Sequence, residues 1–199
     1  MTYSAGSPIK GGWDGVDNDP EITAGKIALR VEAVERLGEP RPIRVMDAYH
    51  GHGFLWGEAR KALPDWEISL YRTDKDQKKA GTLKVDNVRL LKSLDLSKFD
   101  LFDLDAYGWP AAQIKTVARK APGKMVLSTR NTMGIGQIPK VVLNDLGSFL
   151  PPGTPGSLIQ NAIADEIWEA WLYQLGYRTS RLLRLDSGDK VKRYELLIP

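Results

Sequence analysis

The sequence predicts an α/β protein: a seven-stranded, doubly wound, mostly parallel sheet that ends in an antiparallel C-terminal hairpin. Three observations carry this expectation. Short apolar runs alternate with helical segments along most of the chain, the pattern of strands joined by crossover helices. Several of these runs end abruptly in an acid followed by turn residues, as in Ile43–Asp47 and Phe99–Asp105. The last segment differs in kind, because Tyr177–Leu185 and Val191–Ile198 are two runs joined by Asp186-Ser187-Gly188-Asp189, a hairpin signal.

Taken in order, residues 1–19 are rich in Gly, Ser, Asp and Asn and read as an irregular arm; the folded domain is expected over 20–199. Asp19-Pro20-Glu21 starts a helix, with an N-cap acid, proline at the first helical position and a carboxylate in the first turn. Its apolar stripe is Ile27, Val31 and Val34, and Gly38-Glu39-Pro40 stops it. Ile43–Tyr49 is the first strand, followed by the turn His50-Gly51-His52-Gly53 and a short helix to about Leu63. Glu67–Thr73 is the second strand with Asp74 at its end, and Leu83–Val85 the third, leading through Asp86-Asn87 into a helix ending near Leu94. Phe99–Leu104 is the fourth strand, Pro110–Arg119 its helix, and Lys124–Ser128 the fifth strand. Met133–Pro155 reads as a loop with a short helix at Val141–Leu146, and Ser157 caps a long helix closed by Gly176.

Composition excludes several classes. Without cysteine there is no disulfide, no iron–sulfur cluster, no Cys-based zinc site and no cysteine nucleophile. The two histidines, His50 and His52, have no third imidazole or thiolate to complete a zinc site, so no metal is expected. No apolar run reaches the roughly 18 residues of a membrane span, and the N-terminus lacks a signal-peptide layout; a cytoplasmic protein away from membranes is expected. A net charge of +3 leans only slightly toward polyanionic partners.

Two constellations carry chemistry. Asp47-Ala48-Tyr49-His50-Gly51-His52-Gly53 places an acid at a strand end and two glycines before a helix, a layout for an adenosyl cofactor; Asp74 closes the next strand 27 residues later. Phe54, Leu55 and Trp56 follow where a dinucleotide loop needs a third glycine, and no lysine follows to make a P-loop. An acid after the strand repels phosphate but receives a cationic amino group, which favours S-adenosylmethionine over a nicotinamide dinucleotide. The second constellation is Asp103-Leu104-Asp105-Ala106-Tyr107-Gly108-Trp109-Pro110 at the next strand's end, where a carboxylate, backbone carbonyls and an aromatic ring suit a flat base bearing an amino group.

On these residues, residues 20–199 resemble the Rossmann-like class I S-adenosylmethionine-dependent methyltransferases. Asp47 through Gly53 resembles the Asp-x-Phe/Tyr-x-Gly-x-Gly loop of nucleic-acid amino-methyltransferases, in which Asp47, Tyr49, Gly51 and Gly53 hold the cofactor. Asp74 matches the ribose-binding acid, and Asp86-Asn87 the pair reading the adenine edge; Asp103 reads equally as a further polar contact to the cofactor or as a solvated strand acid. Asp103 to Pro110 is similar to the Asn/Asp-Pro-Pro-Tyr/Phe of exocyclic-amine methyltransferases and closer to the Asp-x-Asp-Pro-Phe/Tyr-Gly-Ser-Pro of tRNA guanine-N2 dimethyltransferases. Ala106 stands where those motifs have proline, and Trp109 where the latter has a small residue. The resemblance implies Asp105 and Tyr107 as catalytic residues, with Trp109 and Pro110 of the same motif as substrate contacts; Arg130 and Asn131, which follow the fifth strand on the same expected edge, are further candidate substrate contacts.

The expected activity is therefore S-adenosylmethionine-dependent N-methylation of a base, RNA guanine slightly ahead, with nucleic acid as partner. A DNA adenine or cytosine amino-methyltransferase and a non-catalytic cofactor-binding module stay open as alternatives. C5-pyrimidine methylation is disfavoured for want of a thiolate. Each residue also has a plainer reading: Asp105 as a helix cap, tryptophans as core, and the basic clusters as solvated faces. Among those clusters the hairpin, with Arg178, Arg181 and Arg184, is the expected phosphate-contacting surface.

Overall fold

A computed structural model of the chain describes residues 20–75, 81–106, 108–133, 138–147, 156–187 and 190–199, and within them every side chain except those of 131–133, 156–163, 185–187 and 190–191. The arm 1–19 and Tyr107 lie outside the described residues. The elements run α1 (Pro20–Glu35), β1 (Ile43–Asp47), α2 (Phe54–Ala62), β2 (Ile68–Asp74), β3 (Leu83–Lys84), α3 (Asn87–Ser93), β4 (Leu101–Leu104), α4 (Ala111–Lys120), β5 (Met125–Met133), α5 (Lys140–Asp145), α6 (Gly156–Gln174), β6 (Arg178–Ser187) and β7 (Lys190–Ile198).

All seven expected strands join one sheet of order β3-β2-β1-β4-β5-β7-β6. Strands β1 to β5 are parallel where they pair, and β7 runs antiparallel to both β5 and β6. The chain leaves β1 toward one edge and returns to β4 on the other side, so a crevice opens at the carboxyl ends of β1 and β4.

Strand alternation gives the sheet two buried faces. Val45, Leu101, Leu127 and Leu196 meet Ile22, Val34 and Trp56 of α1 and α2, while Met46, Phe102, Val126 and Leu197 meet Ile114, Trp168 and Trp171 of α4 and α6. Each fully buried tryptophan removes roughly 200 Å² from water, worth about 5 kcal/mol before entropy is charged. Among the described residues no helix is long and apolar enough to cross a membrane.

Some strand boundaries, and the buried face of α1, differ from expectation for physical reasons. Strand β5 continues past Ser128 to Met133 because its β7 partner runs on beyond the end of β4. Strand β4 begins at Leu101, since Phe99 ends a 3-10 turn at Leu96–Lys98 whose first residue follows the cap Asp95. Asp100 therefore sits at the opposite end of the sheet from Asp105, accepting from Arg44 N at 2.8 Å and from Arg41. In α1 the buried face is Ile22, Lys26, Ile27, Leu29, Arg30, Ala33 and Val34, with Val31 only half-buried. Two cations thus lie on a face where the expected stripe held only apolar residues.

Candidate active site at the carboxyl ends of β1, β2 and β4

Strand parity decides where the acids point. Asp47 follows Val45, and Asp103 and Asp105 follow Leu101, so all three belong to the face covered by α1 and α2. Asp47 and Asp103 are neighbours across β1 and β4. Two buried carboxylates side by side are costly unless cations accompany them, and α1 supplies these one turn apart. Arg30 reaches Asp103 Oδ2 at 2.7 Å and Asp105 Oδ2 at 3.4 Å, while Lys26 Nζ lies 2.6 Å from Asp105 Oδ2. Trp56 Nε1 donates to Asp103 Oδ2 at 2.7 Å, and Thr129 Oγ1 to Asp105 Oδ1 at 2.6 Å.

The two acids of β4 end up at opposite ends of the carboxyl range. Burial pushes Asp103 up to about 6; Arg30 and the Trp56 hydrogen bond oppose this, and the nearby Asp47 and Asp105 charges add to it. Burial also acts on Asp105, but Lys26 and Arg30, with hydrogen bonds from Lys26 and Thr129, override it and hold the carboxyl at about 2. Asp105 is a fixed anion with both oxygens engaged.

The turn after β1 is built as its glycines require. Gly51 and Gly53 have φ of +53° and +70°, a region glycine enters without strain. A Cβ on Gly53 would clash with the His50 ring at Nε2. The His50 ring is buried and shares a 2.5 Å hydrogen bond between Nδ1 and Asp47 Oδ2. Gly51 N donates to Asp74 Oδ2 at 2.8 Å, and His50 N to Thr73 O at 3.1 Å, which lash the β1 turn to the end of β2.

Of the pair after β3, Asp86 is exposed and caps α3 by accepting from Arg89 N at 2.9 Å. Asn87 is buried: it donates to Ala48 O and accepts from Thr73 Oγ1 at 2.6 Å. It pins the β1 and β2 ends together. Tyr49 is half-buried, its hydroxyl accepting from Gln113 Nε2 at 2.5 Å.

The expected substrate residues divide between the two faces. Arg130 is 1% exposed on the α6 face, where its guanidinium donates to Glu195 and Asp165. It lies 5.3 Å from the Trp109 ring centre and 5.1 Å from that of Trp168. A guanidinium so enclosed is a packing and charge-pairing group. Trp109 is half-buried edge-on against Trp168, and Pro110 is buried at the start of α4. Asn131 lies in β5 opposite Lys192, its side chain outside those described. Lys26, Arg30, Trp56 and Thr129 are the site residues that sequence reasoning missed as partners of the acids. The available signal was the spacing of Lys26 and Arg30, i and i+4 on the same face as Ile22 and Ala33.

The donor chemistry fits one class of group. Carboxylates at 47, 74 and 86 ring the β1–β2 ends, where they suit an ammonium, a ribose diol and an amine, and would repel a pyrophosphate. S-adenosylmethionine carries the first three features and no phosphate.

No protein-family model matches the chain, and no curated protein matches it in sequence. Solved structures do match. Trm1 from Pyrococcus horikoshii, in complex with S-adenosyl-L-methionine, is 16% identical with a TM-score of 0.51, over 100% of this chain and 58% of that one. The chain thus spans little more than half the length of that protein. Magnesium protoporphyrin IX methyltransferase from Synechocystis PCC 6803, with bound SAM, is 15% identical with a TM-score of 0.54, over 95% and 86% of the two chains. A putative sarcosine dimethylglycine methyltransferase from Galdieria sulphuraria is 11% identical with a TM-score of 0.56, over 89% and 86%. At such identities the likeness is one of fold, and it agrees with the strand order and the terminal hairpin: this chain has the Rossmann-like fold of the class I S-adenosylmethionine-dependent methyltransferases.

Proposed function

We propose that the chain is an S-adenosylmethionine-dependent N-methyltransferase acting on an exocyclic amine of a nucleic-acid base, with RNA guanine ahead of DNA adenine or cytosine. The observation that carries this reading is the convergence of Asp47, Asp74 and Asp105 at the adjacent carboxyl ends of β1, β2 and β4, with the Asp47 turn tied to Asp74 through Gly51. Asp47, Asp74, Asp86 and the Gly51–Gly53 turn would hold the cofactor, which when bound supplies an electrophilic methyl group.

The chain's own part is placement and charge. An exocyclic amine shares its lone pair with the ring and is a poor nucleophile. A fixed carboxylate accepting one of its hydrogens favours a more tetrahedral nitrogen, and Asp105, at about 2, is ionised throughout the neutral range. The preference for RNA guanine rests on the motif from Asp103 to Pro110.

A second reading is favoured by one observation: both Asp105 oxygens are already engaged, by Thr129 and by Lys26 with Arg30. On that reading the chain binds the cofactor without transferring its methyl group. Calorimetric titration with S-adenosylmethionine, followed by tritiated methyl transfer onto bulk tRNA, rRNA and DNA with nucleoside analysis, separates the two. Label in a methylated RNA guanosine supports the first reading. Binding without label in any polymer supports the second. An Asp47→Ala variant that binds the cofactor as tightly as the parent removes both.

A further inference from the structure

We propose that His50 is a positioning residue of the turn after β1, and that Asp47 acts on a bound cofactor by holding the His50 ring; this rests on the reading of that turn as the cofactor's seat. His50 ties three parts of the site together. Its backbone N–H donates to Thr73 O at 3.1 Å, at the end of β2, and its carbonyl accepts from Gly53 N at 2.8 Å, closing the turn. Its ring Nδ1 shares a 2.5 Å hydrogen bond with Asp47 Oδ2 at the end of β1. Gly53 in turn caps α2, its carbonyl accepting from Gly57 N at 3.3 Å. The residue that fixes Gly53 therefore also fixes where the free N–H groups of α2 begin.

The backbone bonds of the turn do not call for an imidazole at position 50, so the ring has a purpose of its own. The His50 and Asp47 side chains are 2% and 5% exposed, enclosed together beneath the turn. The ring fills the space beside Gly53 that a side chain there would need. Its Nε2 is buried and has no hydrogen-bond partner among the described residues. The imidazole thus serves by its bulk against Gly53 and by its bond to Asp47. A carboxylate that accepts from Nδ1–H selects the tautomer and sets the plane of the ring. One Asp47 oxygen is committed in this way. Removing the carboxylate frees the ring to turn, and Gly51–Gly53 loses the wall against which it is folded.

The experiment is a double-mutant cycle on S-adenosylmethionine affinity, measured by calorimetric titration. It compares the parent, Asp47→Ala, His50→Ala and the double variant, with Asp47→Asn as the conservative replacement. Each single alanine should weaken binding about tenfold, and the double variant should bind within about twofold of the weaker single. Asp47→Asn deletes the charge, but its amide oxygen still accepts from Nδ1–H, so it should recover binding to within about threefold of the parent. Losses that multiply to about a hundredfold in the double variant overturn the proposal. So does an Asp47→Asn chain as weak as Asp47→Ala, which would assign Asp47 a direct charged contact with the cofactor. Ring-nitrogen NMR of the parent needs no variant to fold: His50 should carry a proton on Nδ1, and an Nε2–H tautomer with bare Nδ1 overturns the proposal. A parent that binds no S-adenosylmethionine removes the cofactor reading as a whole. A parent that binds it, with independent losses in the cycle, removes the role of His50 alone.

Discussion

Replacing Lys26 with methionine tests the electrostatic core of the site. The ammonium lies 2.6 Å from Asp105 Oδ2, with the two side chains 11% and 18% exposed, and 4.5 Å from the Tyr194 ring centre. Methionine keeps an unbranched side chain for packing and deletes the charge. Asp105 stands at about 2 against 3.8 for a free carboxyl. At about 1.4 kcal/mol per pH unit that difference corresponds to native-state stabilisation on the order of 2 kcal/mol. Lys26 is the largest favourable contributor, and Arg30 and Thr129 remain in the variant. The loss at pH 7 should therefore be about 1–2 kcal/mol, a fall in Tm of about 3–6 °C for a chain of this size.

The sign of the pH dependence follows from the depressed value. A carboxyl held below its unfolded value stabilises the fold fully above pH 3.8 and loses that contribution as pH falls through about 2. The gap between parent and variant should stay level from pH 8 to 5 and shrink below pH 4. Urea unfolding of both proteins across this range measures it. A variant as stable as the parent at neutral pH refutes the ion pair's weight, and a gap that persists undiminished at pH 2.5 assigns the loss to packing instead.

Three other outcomes are expected. Asp103, raised to about 6 chiefly by burial, contributes stability that is present below pH 3.8 and lost as pH rises through 6. Urea unfolding should thus show the parent gaining stability from pH 7.5 to 5, and an Asp103→Asn variant lacking that rise; an identical slope in both would assign it to another group. Gly53→Ala must hold alanine at a φ of +70° and also displace the His50 ring that its Cβ would meet. It should cost about 2 kcal/mol or more in thermal unfolding and weaken cofactor binding, whereas a neutral substitution would show that the turn is not held as described. On the edge strand β6, Arg178, Arg181 and Arg184 are exposed. Changing all three to glutamate should weaken RNA binding and reduce the slope of log affinity against log salt by roughly 2–3, and an unchanged slope places the phosphate contacts elsewhere.

Local pattern carried the elements because each depends on neighbours in sequence: a proline at a helix start, an acid before a turn, alternation in a buried strand. The strand order and the hairpin followed from their succession. The same reasoning lost accuracy where a distant partner decides. Strand β5 outlasts its apolar run because β7 hydrogen-bonds it as far as Met133. Arg130 reads in sequence only as a residue of the expected active edge, and nothing local reveals that Glu195, Asp165 and two indoles lie against it. Asn87 sits beside the cap Asp86, and only the packed sheet shows that its amide bonds to Ala48 and Thr73.

The acids of β4 show what a longer-range reading would have needed. In a sheet buried on both faces, acids at i and i+2 of one strand point into the same covering layer, and that layer must supply cations. Alternation alone places Asp103 and Asp105 with Leu101, hence under the helix that also covers Val45 and Leu127. The covering helix then has to be the one with basic residues a turn apart on its buried face, and α1 has Lys26 and Arg30. This inference bears directly on catalysis. On the function proposed above, a substrate amine approaching Asp105 would share an oxygen with Lys26 and Arg30 or with Thr129, since each oxygen already has a donor. A carboxylate that accepts only weakly from one further donor still orients an amine; one that must first release Lys26 needs α1 to move. Methyl transfer by the Lys26→Met variant distinguishes these. A rate at or below the parent's means that the ion pair positions Asp105, and a faster rate means that Lys26 competes with the substrate for it.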